Sequence, residues 1–175
     1  MIAPFVPADP AAGQYVTRVD SPIGELLLTA TGDALTGLYM LGSPHPLPLG
    51  LPAPGARSDP AAFAKVTAQL RAYFAGELTA FDLPLSPSGS PFQLAVWSAL
   101  TRIPYGTTTS YGRIARDLGK SPAASRAVGA ANGQNPIAVI VPCHRVIGAG
   151  GGLTGYGGGL DRKELLLRLE GTTLW

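Results

Sequence analysis

The sequence predicts an α+β protein in two domains: a small α/β half, with a three-stranded antiparallel sheet and one helix, followed by a mainly helical half. Three observations predict it. β-type patterning broken by turn signals fills residues 15–40 and gives way to one amphipathic helix that ends at Gly76. A Leu-, Pro-, Ser- and Gly-rich stretch at 83–89 then reads as an interdomain linker, set at 85–90, after which the apolar spacing turns helical. Charge changes sign at the same place. Residues 1–88 carry four basic and seven acidic side chains, and residues 89–175 carry nine basic and four acidic. The expected divisions are a loose N-terminus at 1–13, a first domain at 14–84 and a second at 91–175.

Tyr15–Asp20, Glu25–Thr31 and Leu35–Met40 read as strands, separated by the turns Ser21-Pro22-Ile23-Gly24 and Gly32-Asp33. Six prolines from Pro44 to Pro60 make the next stretch a loop, because proline has no N–H to give a sheet. Asp59 is a candidate N-cap with Pro60 at the first helical position, and Phe63, Val66, Leu70 and Phe74 recur at spacings of three and four. In the second half, Ser90-Pro91 opens a helix with Phe92, Ala95, Val96 and Ala99 on one face and Trp97 nearby. Pro104-Tyr105-Gly106 is a turn. Ser110 caps a short helix, Tyr111–Leu118, stopped by Gly119, and Ser121-Pro122 starts another that runs to about Gln134.

Two short helices on a tight turn form a helix-turn-helix pattern. The second is built of tiny residues: Ala123, Ala124, Ala127, Gly129, Ala130, Ala131 and Gly133. Either the helix packs tightly in a core, or its backbone must come close to another molecule. Ile137–Val141 reads as a buried strand leading into Pro142-Cys143-His144-Arg145-Val146. Gly148–Gly159 holds eight glycines in twelve positions, a composition that lets a ligand approach the backbone. Asp161 and Glu164 stand at capping-box spacing at the start of a last helix, Asp161–Leu169.

With 46% hydrophobic and 14% charged residues the chain is globular and not disordered. It lacks the run of roughly 18 apolar residues that a membrane span needs. Its start lacks a secretory pattern, so a soluble cytoplasmic protein without membrane contact is expected. One cysteine excludes an internal disulfide. Cys143, His45 and His144 could complete a tetrahedral zinc site only with carboxylates, so neither metal nor cofactor is expected. The basic half suits a polyanionic partner. Cys143 is followed by His144 and Arg145, either of which could favour the thiolate, the nucleophilic form of cysteine. A water could relay the proton to His144, and Glu170 is the candidate third group that orients the histidine.

Asn135-Pro136, the apolar run after it and Pro142-Cys143-His144-Arg145-Val146 together resemble the signature of the O6-alkylguanine-DNA alkyltransferase family. Similarity extends to Ser21-Pro22-Ile23-Gly24, Ile103-Pro104-Tyr105-Gly106, Ser110-Tyr111, Ser125-Arg126-Ala127-Val128-Gly129 and Thr154-Gly155-Tyr156-Gly157-Gly158-Gly159. The resemblance implies a ribonuclease H-like first domain and a winged-helix-like second domain that carries the active site. It implies direct-reversal DNA repair, in which the alkyl group of O6-alkylguanine is transferred once and irreversibly to Cys143. O4-alkylthymine is a further candidate substrate. Double-stranded DNA would be bound through the minor groove, with the damaged base turned out of the stack. A monomer in solution is expected, with assembly along DNA open.

By the same resemblance, Cys143 is the acceptor, His144 acts through water and Glu170 aligns it. Tyr111 donates to the flipped base as guanine leaves, and Asn135 ties the helix-turn-helix to the strand before the active site. Arg126 takes the place of the flipped base, and Ala127, Gly129 and Ala130 lie on the helix that enters the groove. Arg145 is grouped with the substrate- and DNA-binding residues. The carbonyls of Cys143 and Val146 receive the guanine amine, Tyr156 walls the pocket and Gly157 offers its N–H to O6. Gly157 stands where some relatives have serine, which would admit larger O6 substituents. The turn Gly119–Pro122 is about a residue longer than in some members, and the extra Cys and His of zinc-bearing relatives are missing. Three other readings compete. A lesion-binding relative without transfer activity is disfavoured by the presence of Cys143. A plain helix-turn-helix regulator would have no use for Pro142–Val146, and a cysteine hydrolase would turn over many times.

Overall fold

Turn chemistry starts the first sheet. Ser21 Oγ donates to the Gly24 carbonyl at 2.6 Å and so closes the connection between β1 (Gln14–Val19) and β2 (Leu26–Thr31). β2 continues through Gly32-Asp33 into β3 (Ala34–Met40), and both pairings are antiparallel. In this computed structural model, residues 5–173 are described. The expectations for residues 1–4 and 174–175 lie outside them. β2 is the strand between its two partners and is buried at every position except Thr31, which is why its sequence is an apolar run rather than an alternation.

The expected three strands gain a fourth. β4 (Arg57–Ser58) pairs parallel with β1, giving the order β3-β2-β1-β4. It is two residues long and ends just before Pro60, which has no N–H to donate. Asp59 accepts from the Ala61 N–H at 3.0 Å, as its position before Pro60 suggests, but the first turn is 3-10 and α1 proper is Ala64–Phe74. Phe63, Val66 and Leu70 are buried as expected. Tyr73, rather than Phe74, takes the last fully buried place, with its ring 5.3 Å from that of Phe81. Each such side chain contributes about 1.5–3 kcal/mol by leaving water.

Two units result. The first runs to Ser88 and takes in Pro136–Ala138; the second comprises Gly89–Asn135 and the chain from Val139 onward. The start expected to be loose is tied down where it is described, since the Val6 N–H donates to the Leu85 carbonyl at 2.9 Å. Leu85, expected in the linker, bridges to Leu35 and is buried in the first unit.

In the second unit, Ser90 and Gln93 form a reciprocal capping box at the start of α2 (Pro91–Leu100). The buried Trp97 donates its indole N–H to the Ala131 carbonyl at 2.7 Å, pinning α2 to α4 (Ser125–Gly133). α3 (Tyr111–Asp117) is capped by Ser110 and followed by Gly119 at φ +70°. A 3-10 turn at Pro122–Ala124 then leads into α4, completing the helix-turn-helix. Just before α3, β5 (Thr109–Ser110) pairs parallel with β6 (Val146–Ile147), which sets Tyr111 close to the chain leaving Cys143.

Two local expectations are corrected. Ile137–Val141 is not a strand. Ile137 makes a single bridge to Leu38, and the chain then turns through Val139, which lies in the left-handed region at φ +70°. The Asn135 side chain donates to the Val141 carbonyl at 2.8 Å, drawing the ends of this short loop together. Asp161 is not a cap. Gly159 occupies the N-cap, α5 is Leu160–Leu169, and Glu164 pairs with Arg168 at 2.6 Å.

Candidate active site

Pro142 and the start of β6 force the residues between them into one 3-10 turn, Cys143–Arg145, and all three side chains are buried. Cys143 is 4% exposed and His144 is 0% exposed. A buried imidazole and a buried guanidinium need a counter-charge, and Glu170, the residue after α5, supplies it. Its Oε1 lies 2.8 Å from His144 Nε2 and accepts from Arg145 Nη2 at 2.9 Å. Its Oε2 accepts from Arg145 Nε at 2.8 Å.

Burial pushes the Cys143 thiol above its usual pKa, opposed by hydrogen bonds from Asn135 and Tyr156 and by the charge of Lys163. Burial likewise pushes His144 below the usual histidine value. Glu170 acts to raise it, while the charges of Arg145 and Lys163 lower it further. Burial alone would raise Glu170, yet the hydrogen bonds from His144 and Arg145 hold it well below the usual carboxylate range. These directions favour the thiol form of Cys143, the neutral form of His144 and the charged form of Glu170. The grouping of Arg145 with DNA contacts is corrected, because its guanidinium is turned inward onto Glu170.

The reading of the sequence missed Lys163. It is 0% exposed, and its Nζ donates to the Val146 carbonyl at 2.6 Å and the Thr154 carbonyl at 3.0 Å, 5.9 Å from the Tyr156 ring centroid. The signal was present, since Lys163, Leu166, Leu167 and Glu170 recur at helical spacing and all are buried. Thr154 Oγ1 donates to the Tyr111 hydroxyl at 3.3 Å, so Tyr111 joins the same cluster through Thr154. Asn132, also missed, donates to the Cys143 carbonyl at 3.4 Å.

The structure thus gathers Cys143, His144, Glu170, Asn135, Tyr156 and Tyr111. Val146 is buried with its carbonyl on Lys163, and Gly157 is half-buried beside Tyr156. Arg126, Ala127 and Ala130 are exposed on α4 and form a separate surface with Gly133. A Cβ at Gly133 would meet nothing within 4 Å, and one at Gly129 only the Tyr111 ring at 3.8 Å. Internal packing therefore does not demand the smallness of these two positions.

Residues 14–87 match the ribonuclease-like domain of 6-O-methylguanine DNA methyltransferase, and residues 91–172 match its DNA binding domain. The chain belongs to the 6-O-methylguanine DNA methyltransferase family. A methylated-DNA–protein-cysteine methyltransferase from Mycolicibacterium paratuberculosis is 58% identical over 153 residues, 87% of this chain and 89% of that one. One of the same name from Methanosarcina acetivorans is 50% identical over 90% of this chain and 99% of its own length. The solved structure of Mycobacterium tuberculosis OGT in complex with DNA superposes with a TM-score of 0.84 at 54% identity, covering 90% of this chain and 93% of that one. The α+β fold in two domains, ribonuclease-like and then DNA-binding, is that of this methyltransferase family.

Proposed function

We propose that the protein repairs O6-alkylguanine in double-stranded DNA by one irreversible transfer of the alkyl group to Cys143 Sγ. The new bond is Sγ–C and the bond broken is O6–C. The thiol proton passes to His144 and on to the departing guanine, so the products are S-alkylcysteine and intact guanine. The observation that carries this reading is the buried Cys143–His144–Glu170 array. Because Glu170 is a carboxylate, His144 Nε2 carries the hydrogen donated to it, and Nδ1 is left to take the thiol's proton. A water between Sγ and Nδ1 would complete the path.

Tyr111 and Lys163, both tied to the Val146–Thr154 side of the centre, are the donors this reading assigns to the charge that guanine gains. The carbonyls of Cys143 and Val146 already have donors within the protein. A carbonyl has two lone pairs, so the Val146 carbonyl, bound by Lys163, can still accept from the guanine amine, whereas the Cys143 carbonyl already accepts from the Val146 N–H and, at 3.4 Å, from Asn132, and the longer of these bonds must give way for it to receive the amine. Tyr156 lines the pocket, and the Gly157 N–H serves O6. α4 meets the minor groove through Arg126, Ala127, Gly129 and Ala130, a face without bulk around one planar cation able to stack in place of the flipped base. The form this reading takes to act is a monomer inside the cell, and O4-alkylthymine is a further candidate substrate.

The test is the mass of the intact protein after incubation with duplex DNA containing O6-methylguanine. One methyl per chain, on Cys143, is expected. An unchanged mass with tight lesion binding would instead mark a recognition protein, and repeated turnover would mark a hydrolase.

A further inference from the structure

Glu170 is gripped by more than the histidine it would align. Besides the bonds from His144 and Arg145, its Oε2 accepts from the Gly106 N–H at 3.3 Å. Arg145 Nη1 donates to the Ile103 carbonyl at 2.6 Å, and its guanidinium lies 5.8 Å from the Tyr105 ring centroid. The Tyr105 hydroxyl donates to the Leu169 carbonyl at 3.2 Å. Gly106 has φ +74°, and a Cβ there would stand 2.8 Å from the Glu170 carbonyl oxygen. The Ile103–Gly106 turn thus closes on the end of α5, with Arg145 as the bolt.

We propose that Arg145 and the Ile103–Gly106 turn form a positioning clamp that fixes the Glu170 carboxylate in one orientation and offsets its charge, so that His144 is held ready to accept a proton. The proposal rests on the reading of Cys143 as the acceptor. A carboxylate buried with a histidine alone favours the imidazolium, which cannot take a proton from the thiol. A guanidinium bound to both carboxylate oxygens supplies the counter-charge and leaves the imidazole neutral. Lysine cannot substitute in full, because its point charge cannot bridge both Glu170 oxygens and the Ile103 carbonyl in one plane. The charged groups acting on His144 are Glu170 and Lys163 from the α5 region and Arg145 from its own turn, with the Cys143 thiol beside it. Tyr105, from the clamp turn, interacts with the Glu170–Arg145 pair.

The test uses the full chain with Arg145→Met and Arg145→Lys. The His144 ring nitrogens are titrated by NMR, and single-turnover methylation of Cys143 by an O6-methylguanine duplex is followed against pH. In Arg145→Met the His144 midpoint should rise by about one pH unit or more as the neighbouring positive charge is lost. The acid limb of the rate profile should move up with it. Arg145→Lys should keep the midpoint near that of the parent but transfer at least about tenfold more slowly. An unmoved midpoint in Arg145→Met, an imidazolium at pH 7 in the parent, or a parental rate in Arg145→Lys would each overturn the clamp. If Arg145→Met does not fold, Arg145→Gln gives the same readout. A parent protein that is never methylated refutes the proposed function, while the titration still decides the clamp.

Discussion

Replacing Lys163 with methionine tests how the centre is held together. Lys163 titrates at about 8 in the folded protein against an ordinary value of 10.5, the cause being burial. The folded state therefore binds fewer protons than the unfolded chain between these two values, and stability rises with pH across that window. Below pH 8 the cost of burying the charge is carried in full; above 10.5 it is gone. At about 1.4 kcal/mol per unit, the gap amounts to roughly 3 kcal/mol. Lys163→Met keeps the length and the apolar stem but cannot titrate. It also loses two charge-assisted bonds, worth about 1.5–3 kcal/mol each, while removing the burial penalty. At pH 7 these effects offset each other, and a net loss within about 3 kcal/mol is expected. Urea unfolding of both proteins at pH 7, 8.5 and 10 reads the effect, because the other titrating groups are shared and only Cys143 and His144 feel the lost Lys163 charge. The stability advantage of the parent should widen by about 2.5 kcal/mol from pH 7 to pH 10. A constant or shrinking advantage would refute the assignment of a strained, buried ammonium.

Arg126→Ala should slow repair of duplex DNA far more than reaction with free O6-benzylguanine, and equal losses in the two assays would remove its stacking role. Ala130→Leu lies on the exposed face of α4, so it should leave stability within about 0.5 kcal/mol of the parent while weakening duplex binding. An unaltered DNA affinity in a filter or fluorescence assay would argue against groove entry by that face. Gly106→Ala places a methyl against the Glu170 carbonyl at a left-handed position and should cost about 1–3 kcal/mol in chemical denaturation. A variant as stable as the parent would show that the Ile103–Gly106 turn yields easily.

Much of the fold could be read in advance because its signals are local. Ser90 with Gln93, Ser110 before Arg113, and Asp59 before Pro60 each cap a helix through atoms two or three residues away. What was misread depends on partners outside a helix turn or a strand repeat. β4 exists only because β1 lies beside it, some forty residues away in the chain. The apolar run 137–141 has the composition of a strand, but the Asn135–Val141 bond bends it into a turn, and no periodicity encodes that bond. At the site, Cys143, His144 and Glu170 were legible. The inward turn of Arg145 was not, because an arginine beside a basic, DNA-directed half looks like a phosphate contact until its carboxylate partner is located. Lys163 sat in plain view among charged neighbours at 161–164, and only the spacing of the residues after it tells which way it points.

A sulfur atom that is kept protonated and nearly out of reach of solvent has a bearing on waste. A molecule that reacts once loses its whole value to any stray electrophile or oxidant that finds it first. Iodoacetamide, hydrogen peroxide and other small scavengers of thiolates would meet a buried sulfur with little thiolate character. With Cys143 as the proposed acceptor, the enclosure that keeps it a buried thiol works as a safety catch, keeping the single shot for a substrate that brings its own alkyl group into the pocket.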